Sequence, residues 1–386
     1  MAHGRKNPTI RDVARAAGVS IATVSHVLND RREKVSSETR ERVLRVVREL
    51  RYRLPPKEDG QTAMRTYNIA LAIPDLAVPI RLTDTYFSET MLGAAEVALS
   101  SGYSLTVVAE RVWDQVGQAA RRRFDGRCDG ILMLAPSALG DAVQQLWERG
   151  LPVVSMGSRL RLEGVSTVDV DNLRVGEMAA ELFLRHGHRR VAYLGVSKGQ
   201  ASTYERFEGF RQTFEAAGLA EGIAGYVLDD QPDLAEVKRS PSRSLRRVAG
   251  LMKFLGYESR TGDAAWLLEQ IGPEVTALFV WHDAFARQLV DALVRAGVRV
   301  PEDLSVVSVD NNEYFALGDP PLTSIAQDVP AICRAATRIL IDHIENPDRR
   351  AEHVLIAPEL VDRGSVAAPR QGPLRLAASD QQPVAP

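Results

Sequence analysis

Residues 20–29 read SIATVSHVLN and carry a dense set of reactive side chains. Ser20, Thr23 and Ser25 bring hydroxyls, His26 an imidazole, Asn29 an amide, and Ile21 and Ala22 small apolar groups. Hydroxyls and amides suit phosphate oxygens, an imidazole suits a guanine edge, and an apolar group suits a thymine methyl. Catalytic chemistry finds less support. No glycine fingerprint for a dinucleotide, no P-loop and no Cys/His metal spacing occurs. A Ser-His-Asp trio assembled from scattered residues would lack a nucleophile elbow. An enzyme, a cofactor and a bound metal are therefore not expected.

The elements that would position this set are legible. Ile10, Val13, Ala14 and Ala17 fall at i, i+3, i+4 and i+7, one apolar helix face. Thr9 can cap that helix with Asp12 three residues on, and Gly18 supplies a left-handed turn. Ser20 then caps a second helix whose inward stripe is Val24, Val27 and Leu28. Two short helices joined by a glycine turn form a helix-turn-helix unit, and the second has the size to enter a major groove. A third helix follows, capped by Ser36 or Ser37, with Val43, Leu44, Val46, Val47 and Leu50 inward and Arg40, Arg42, Arg45 and Arg48 outward. The bland alternative is a three-helix bundle with no ligand.

Charge separates this head from the rest. Residues 1–65 hold 15 Lys and Arg against 8 Asp and Glu, a balance of +7; the totals of 48 and 50 leave 33 and 42, or −9, for the remainder. A basic head on an acidic body suits a head that meets phosphates. At 386 residues the chain is too long for one compact domain. It has no apolar run long enough to span a membrane and no secretory h-region. Cys128 and Cys333 read as reduced thiols, and together these features predict a cytoplasmic protein. From residue 67 onward short apolar runs (69–73, 105–108, 130–134, 152–155, then 191–194, 225–228, 277–280, 306–309) alternate with helical stretches, including 174–186, 206–217, 263–270 and 284–297. That alternation predicts two open α/β units with buried parallel sheets, whose strand ends favour ligand binding.

TIRDVARAAGVSIATVSHVLN, followed by VSSETRERVLRVVRELRYR, resembles the DNA-binding head of the lactose repressor (LacI) family over residues 9–53. The resemblance implies base reading by Ile21, Ala22 and His26, and backbone contacts by Ser20, Thr23, Ser25 and Asn29. The alternative for His26 is a solvent-facing side chain without a role. The body is similar to that family's two-lobed, periplasmic-binding-protein-like (type I) sensor. The segments that carry it are VDVDN (168–172), HGHRRV (186–191), RFEGF (206–210), GVRVP (297–301) with Asp310, and PPLTSIAQ (320–327). By that resemblance the effector contacts are Tyr86, Phe87, Asp171, Gln200, Arg206, Trp281, Asp283 and Asp310. An arginine with carboxylates suits a polyhydroxylated ligand, and the aromatics suit a sugar face. The alternatives are an Arg206–Asp310 ion pair without ligand, and core packing for Trp281. The family's usual Asn before Asp283 is His282 here.

The expected organisation is a disordered N-terminus (1–7), a helix-turn-helix domain (8–53), a linker (54–66) and an effector-binding and dimerisation domain (67–366). Its N-lobe takes 67–168 and 328–350, its C-lobe 172–322 and 354–366, and a disordered tail takes 367–386. The linker departs from the family: Glu58, Asp59 and Gln61 stand where Ala-Arg and a minor-groove Leu are expected, and Pro55 and Pro56 discourage a helix. It reads as a flexible tether that bends DNA weakly. Residues 229–256, rich in Ser, Pro and Arg, read as an inserted mobile loop. The implied function is a DNA-binding transcriptional regulator, a homodimer or higher assembly on a near-palindromic double-stranded operator, under allosteric control by a small sugar-like effector. Repression is the expected sign; a ligand-controlled activator and a non-regulatory sugar-binding protein are the alternatives.

Overall fold

The structure is a computed structural model that describes residues 9–28, 34–50, 52, 65–74, 85–110, 127–134, 140–148, 150–157, 162–196, 201–229, 245–249, 268 and 271–374. Asn29, Gln200, residues 1–7, the linker through 64, the loop 75–84 and residues 375–386 lie outside them. So do all of 230–244 and 250–267.

The head is three helices, α1 (Ile10–Ala17), α2 (Ile21–Leu28) and α3 (Ser37–Glu49). The Thr9–Asp12 box is present in both directions: the Thr9 N–H donates to Asp12 at 2.8 Å and the Asp12 N–H to the Thr9 hydroxyl at 3.4 Å. Gly18 takes φ 64°, the left-handed value that stops α1 and turns the chain. Of the two serines before α3, Ser36 is the cap, accepting the Thr39 N–H at 3.4 Å. Val13, Ala14, Ala17, Val24, Val27, Leu28, Val43, Val46, Val47 and Tyr52 close one small core. That core leaves the other faces of α2 and α3 to solvent.

The chain divides into two compact units, Met1–Asp169 with Val329–Val354 and Val170–Asp328 with Leu355–Pro386, and so crosses between them three times. Unit 1 carries a six-stranded sheet built from β1 (Asn68–Pro74), β2 (Ser104–Glu110), β3 (Gly130–Leu134), β4 (Val153–Met156), β5 (Ser166–Val170) and β12 (His353–Ile356). Its order is β12-β5-β4-β3-β1-β2. Helices α4 (Thr85–Ser100), α5 (Gly140–Glu148) and α10 (Val329–Glu345) belong to this unit. Unit 2 carries β6 (Val191–Val196), β7 (Ile223–Asp229), β8 (Leu245–Ala249), β9 (Ala277–Val280), β10 (Ser305–Asp310), β11 (Thr323–Ala326) and β13 (Glu359–Val361), in the order β13-β11-β10-β9-β6-β7-β8. Its helices are α6 (Asn172–His186), α7 (Ala201–Ala216), α8 (Asp283–Arg295) and the short α9 (Glu313–Ala316). Neighbours pair in parallel from β6 through β11 and only β13 runs antiparallel, against β11. Strands such as β3, β4 and β9 are buried at every residue, as continuous apolar runs require.

Two expectations are corrected. Residues 229–256 are not loop throughout, because Leu245–Ala249 pairs in parallel with β7 from Gly225↔Leu245 to Asp229↔Ala249. An edge strand is held by backbone bonds and tolerates charge, so LRRVA gives no alternating signal. The tail is ordered as far as Leu374. Ala367 donates to the Ser305 hydroxyl at 3.1 Å, Arg370 to the Asp303 carbonyl at 2.7 Å, and Leu374 to the Pro273 carbonyl at 2.9 Å while packing on the unit-2 core. Its anchors are mostly backbone carbonyls at the starts of strands, which leave no trace in hydrophobic pattern. A chain ending at Val366 is expected to lose about 2–4 kcal/mol in the unit-2 unfolding transition, the sum of three such bonds and one apolar contact, read by urea titration.

Candidate functional site

In the head, Ile21, Ala22, Ser25 and His26 fall on one arc of α2, opposite the buried Val24, Val27 and Leu28. Ile21 is 45% exposed and Ala22 is exposed, while Ser25 and His26 are half-buried. Ser20 is the cap: its hydroxyl accepts the Thr23 N–H at 3.0 Å and meets the Thr23 hydroxyl at 2.8 Å. The pair therefore holds the start of the helix as well as presenting oxygens there. An exposed isoleucine at the first turn contributes nothing to the head's own core.

In unit 2, Arg206 on α7 is 4% exposed. Its Nε donates to Asn172 Oδ1 at 2.8 Å and one terminal nitrogen to the Trp281 carbonyl at 2.6 Å. One guanidinium thus ties the first residue of α6, the body of α7 and the end of β9. Both named partners are neutral, which is not the Asp310 ion pair weighed from sequence. The α6–α7 crossing makes this reach possible. A Cβ on Gly176 would lie 1.9 Å from the Arg206 carbonyl oxygen, and one on Gly209 would lie 2.0 Å from that of Leu173. The helices touch backbone to backbone, and only glycine permits it. Asp171 caps α6, accepting the Arg174 N–H at 3.3 Å.

The β9–α8 corner holds three further candidates. Trp281 packs partly against the unit-2 core and lies 4.9 Å from the His282 ring. His282 caps α8: its Nδ1 accepts the Ala284 N–H at 3.1 Å. In the neutral ring the proton then sits on Nε2, which faces Asp310 Oδ2 at 3.4 Å. Asp283 is fully buried, accepting the Asn312 N–H and the Ser324 hydroxyl, each at 2.8 Å. Its carboxylate therefore anchors the β10–α9 turn. Burial first, and then the charge of Asp310, push its pKa up to about 6. Asp310 and Asn311 both take left-handed backbone, φ 108° and 61°. They are held by Gln327 on Asp310, by Arg363 on the Asn311 side chain at 2.6 Å and by the Asn311 N–H on Ser324 at 3.0 Å.

Tyr86 and Phe87 lie on the first turn of α4 in unit 1, both half-buried, and the Tyr86 carbonyl accepts the Thr90 hydroxyl at 2.7 Å. The structure therefore brings Arg206 to Trp281, and His282 to Asp310 and Asp283 behind it. Sequence reasoning missed Asn172, Ser324 and Gln327 as partners, although each stands in a quoted segment. Among the described residues no group of three or more His, Cys, Asp or Glu could hold a metal ion.

Three family models match the chain. "Bacterial regulatory proteins, lacI family" matches residues 9–54, "Periplasmic binding proteins and sugar binding domain of LacI family" matches 72–237, and "Periplasmic binding protein-like domain" matches 180–366. The chain belongs to the lacI family of bacterial transcriptional regulators. Among LacI-family relatives, the transcriptional regulator CelR of Thermobifida fusca is 28% identical over 94% of this chain and 99% of its own. The transcriptional repressor PurR of Photobacterium profundum is 26% identical over 93% and 98%. A solved CelR–cellobiose complex superposes with a TM-score of 0.63 at 27% identity, covering 93% of this chain and 99% of that one. A ribose-bound LacI-family regulator from Enterococcus faecium, at 20% identity and a TM-score of 0.59 over 78% of this chain and all of that one, shares the fold.

Two outcomes are expected. Gly176→Ala forces α6 from α7 and should cost unit 2 about 1–3 kcal/mol, read by urea unfolding. Asp283 binds its proton up to about 6 in the folded chain, against about 3.9 when unfolded. The folded state holds more proton across that window, so stability falls as pH rises through it. Asp283→Asn should flatten that slope in unfolding titrations between pH 4 and 6, marked as approximate bounds by the same two values.

Proposed function

We propose that this LacI-family regulator represses transcription as a homodimer on a near-palindromic operator, and that a neutral, sugar-like effector sets its affinity for DNA. The observation that carries the effector reading is Arg206. Its guanidinium is buried, two of its five N–H donors meet Asn172 and the Trp281 carbonyl, and in this proposal the effector takes the remaining donors. Hydroxyls that donate to Asp310 and accept from Arg206 and His282 match this set, and Trp281 offers a face to a pyranose. The cellobiose bound by CelR is a molecule of this kind.

On the DNA side, Ile21 and Ala22 meet thymine methyls, His26 a guanine edge, and Ser20, Thr23, Ser25 and Asn29 the backbone. One head makes few base contacts, so affinity needs two. The α4 and β2 face of unit 1 supplies the pairing surface for a second copy: Leu92 is 66% and Leu99 68% exposed, with Met91 and Val107 beside them. An effector that prefers one arrangement of the two lobes shifts the population, and coupling of about 1–3 kcal/mol changes operator affinity roughly 5–150-fold. No helix among the described residues is long and apolar enough to cross a membrane. The proposal places the protein in the cytoplasm on the chromosome, without catalytic activity.

The test begins with duplexes selected from a random library by the purified protein, followed by fluorescence anisotropy at fixed salt. The chosen site should bind roughly a thousandfold or more tighter than random duplex; equal affinity rejects the reading. His26→Ala should relax preference at one base step by about 1–3 kcal/mol. Cellobiose, ribose and a panel of neutral sugars are then titrated into the complex. Arg206→Ala should abolish the response that the wild type shows and keep operator binding; a response surviving it assigns the effector elsewhere.

A further inference from the structure

We infer that Asp129 is a positioning residue that fixes where the DNA-binding head leaves the body, and hence the half-site spacing that two heads accept. This rests on the two-headed reading above. Asp129 stands immediately before β3, and its own N–H donates to the Asn68 carbonyl at 2.8 Å, so the sheet sets its place. Its carboxylate then takes three donors from the two residues where the linker ends. Thr66 gives its N–H and its hydroxyl to Oδ1, both at 2.9 Å, and Tyr67 gives its N–H to Oδ2 at 2.8 Å.

These bonds precede the β1–β2 register, which begins at Asn68↔Ser104, although the Tyr67 carbonyl already accepts the Ser104 N–H at 2.7 Å. They hold the chain just ahead of an unusual backbone. Tyr67 has φ 50°, a left-handed value uncommon for a bulky aromatic residue. Its side chain is more than half exposed, so burial does not impose the conformation; its ring meets Tyr103 at 5.7 Å. Such strain persists where the surroundings over-determine it. Here one carboxylate grips the Thr66 and Tyr67 amides before the turn, while beyond it the Tyr67 carbonyl accepts the Ser104 N–H and the Asn68 N–H donates to the Thr66 hydroxyl at 3.3 Å. Asn68 is pinned next, through Arg127 at 2.8 Å and Thr106 at 3.0 Å, while Arg65 reaches the Ile344 carbonyl at 3.4 Å. The carboxylate is half-buried and its three donors all belong to the two residues at the end of the linker, so its contribution to global stability is small beside that of the sheet. What it sets is the position of Thr66 and of the Tyr67 amide, where the linker joins the sheet. Released, these two groups lose their fixed place and the chain enters the sheet by another path.

The test uses the full-length protein and a selected two-half-site duplex, with one or two base pairs inserted at its centre, and a single half-site control. Wild type should favour the native spacing. Asp129→Ala should lose that preference by roughly fivefold or more, with single half-site affinity and Tm unchanged. Asp129→Asn, which keeps an acceptor for Thr66 but turns an amide toward the Tyr67 N–H, should lose part of it. It decides the matter if the alanine variant folds poorly. Spacing preference equal to wild type in a folded Asp129 variant overturns the inference. A wild type indifferent to spacing instead sinks the two-headed reading. A variant that loses half-site affinity and Tm together marks Asp129 as a folding residue and also overturns it.

Discussion

A buried guanidinium keeps its charge and must be surrounded by acceptors, and Arg206 imposes that demand on unit 2. The demand is met by Asn172 at the start of α6 and by the main chain at Trp281. Both are neutral, so the charge is solvated without being cancelled. A carboxylate in the same place would have satisfied Arg206 and left it little to offer. Meeting the demand ties together the start of α6, the body of α7, whose close crossing Gly176 and Gly209 permit, and the main chain at the end of β9.

The second constraint is the corner at Asp310. Two consecutive non-glycine residues with left-handed backbone cost free energy, about 1–3 kcal/mol each. Asp283, Ser324, Gln327 and Arg363 offset that cost by holding the turn from behind. Asp283 and Asp310 are thus unlike acids. The first is spent on the Asn312 amide and Ser324 and holds its proton to a higher pH; the second sits beside the His282 Nε2–H. His282 can serve in both directions because its two ring nitrogens divide the work, one to the helix cap and one to the corner.

The three helices of the head were legible because their signals are local. Thr9 with Asp12, Gly18 and Ser20 each act within four residues, and the apolar stripe repeats at helical spacing. Eight of the parallel strands were legible from continuous apolar runs for the same reason, whereas β5 (STVDV) and β11 (TSIA), interrupted by Ser, Thr or Asp, were not. What escaped were bonds between distant positions. Asn172 meets Arg206 across 34 residues and Ser324 meets Asp283 across 41, and neither pairing leaves a period in the sequence. The strand at Leu245–Ala249 and the docked segment through Leu374 escaped because backbone groups hold them. Family resemblance alone pointed to Asp283 as an effector contact, and its bonds to the Asn312 N–H and the Ser324 hydroxyl had no signal in the sequence.

Specific DNA binding by so small a head depends on what the body withholds as well as on what it supplies. The head carries a balance of +7 and the rest of the chain −9. The acidic body is repelled by a duplex, so attraction is concentrated in the head and falls with salt. In the proposed reading a head acting alone would hold phosphates through Ser20, Thr23 and Ser25 and read only the few bases that Ile21, Ala22 and His26 reach. With two heads, as proposed, further preference arises when the second must reach its own site without straining the connection. The free energy of choosing an operator is then partly the stiffness of a few residues between head and sheet. Pro55 and Pro56 disfavour supplying that stiffness by a helix. The first firm hold on the chain is the left-handed turn at Tyr67, where the acceptors of Asp129 meet the backbone.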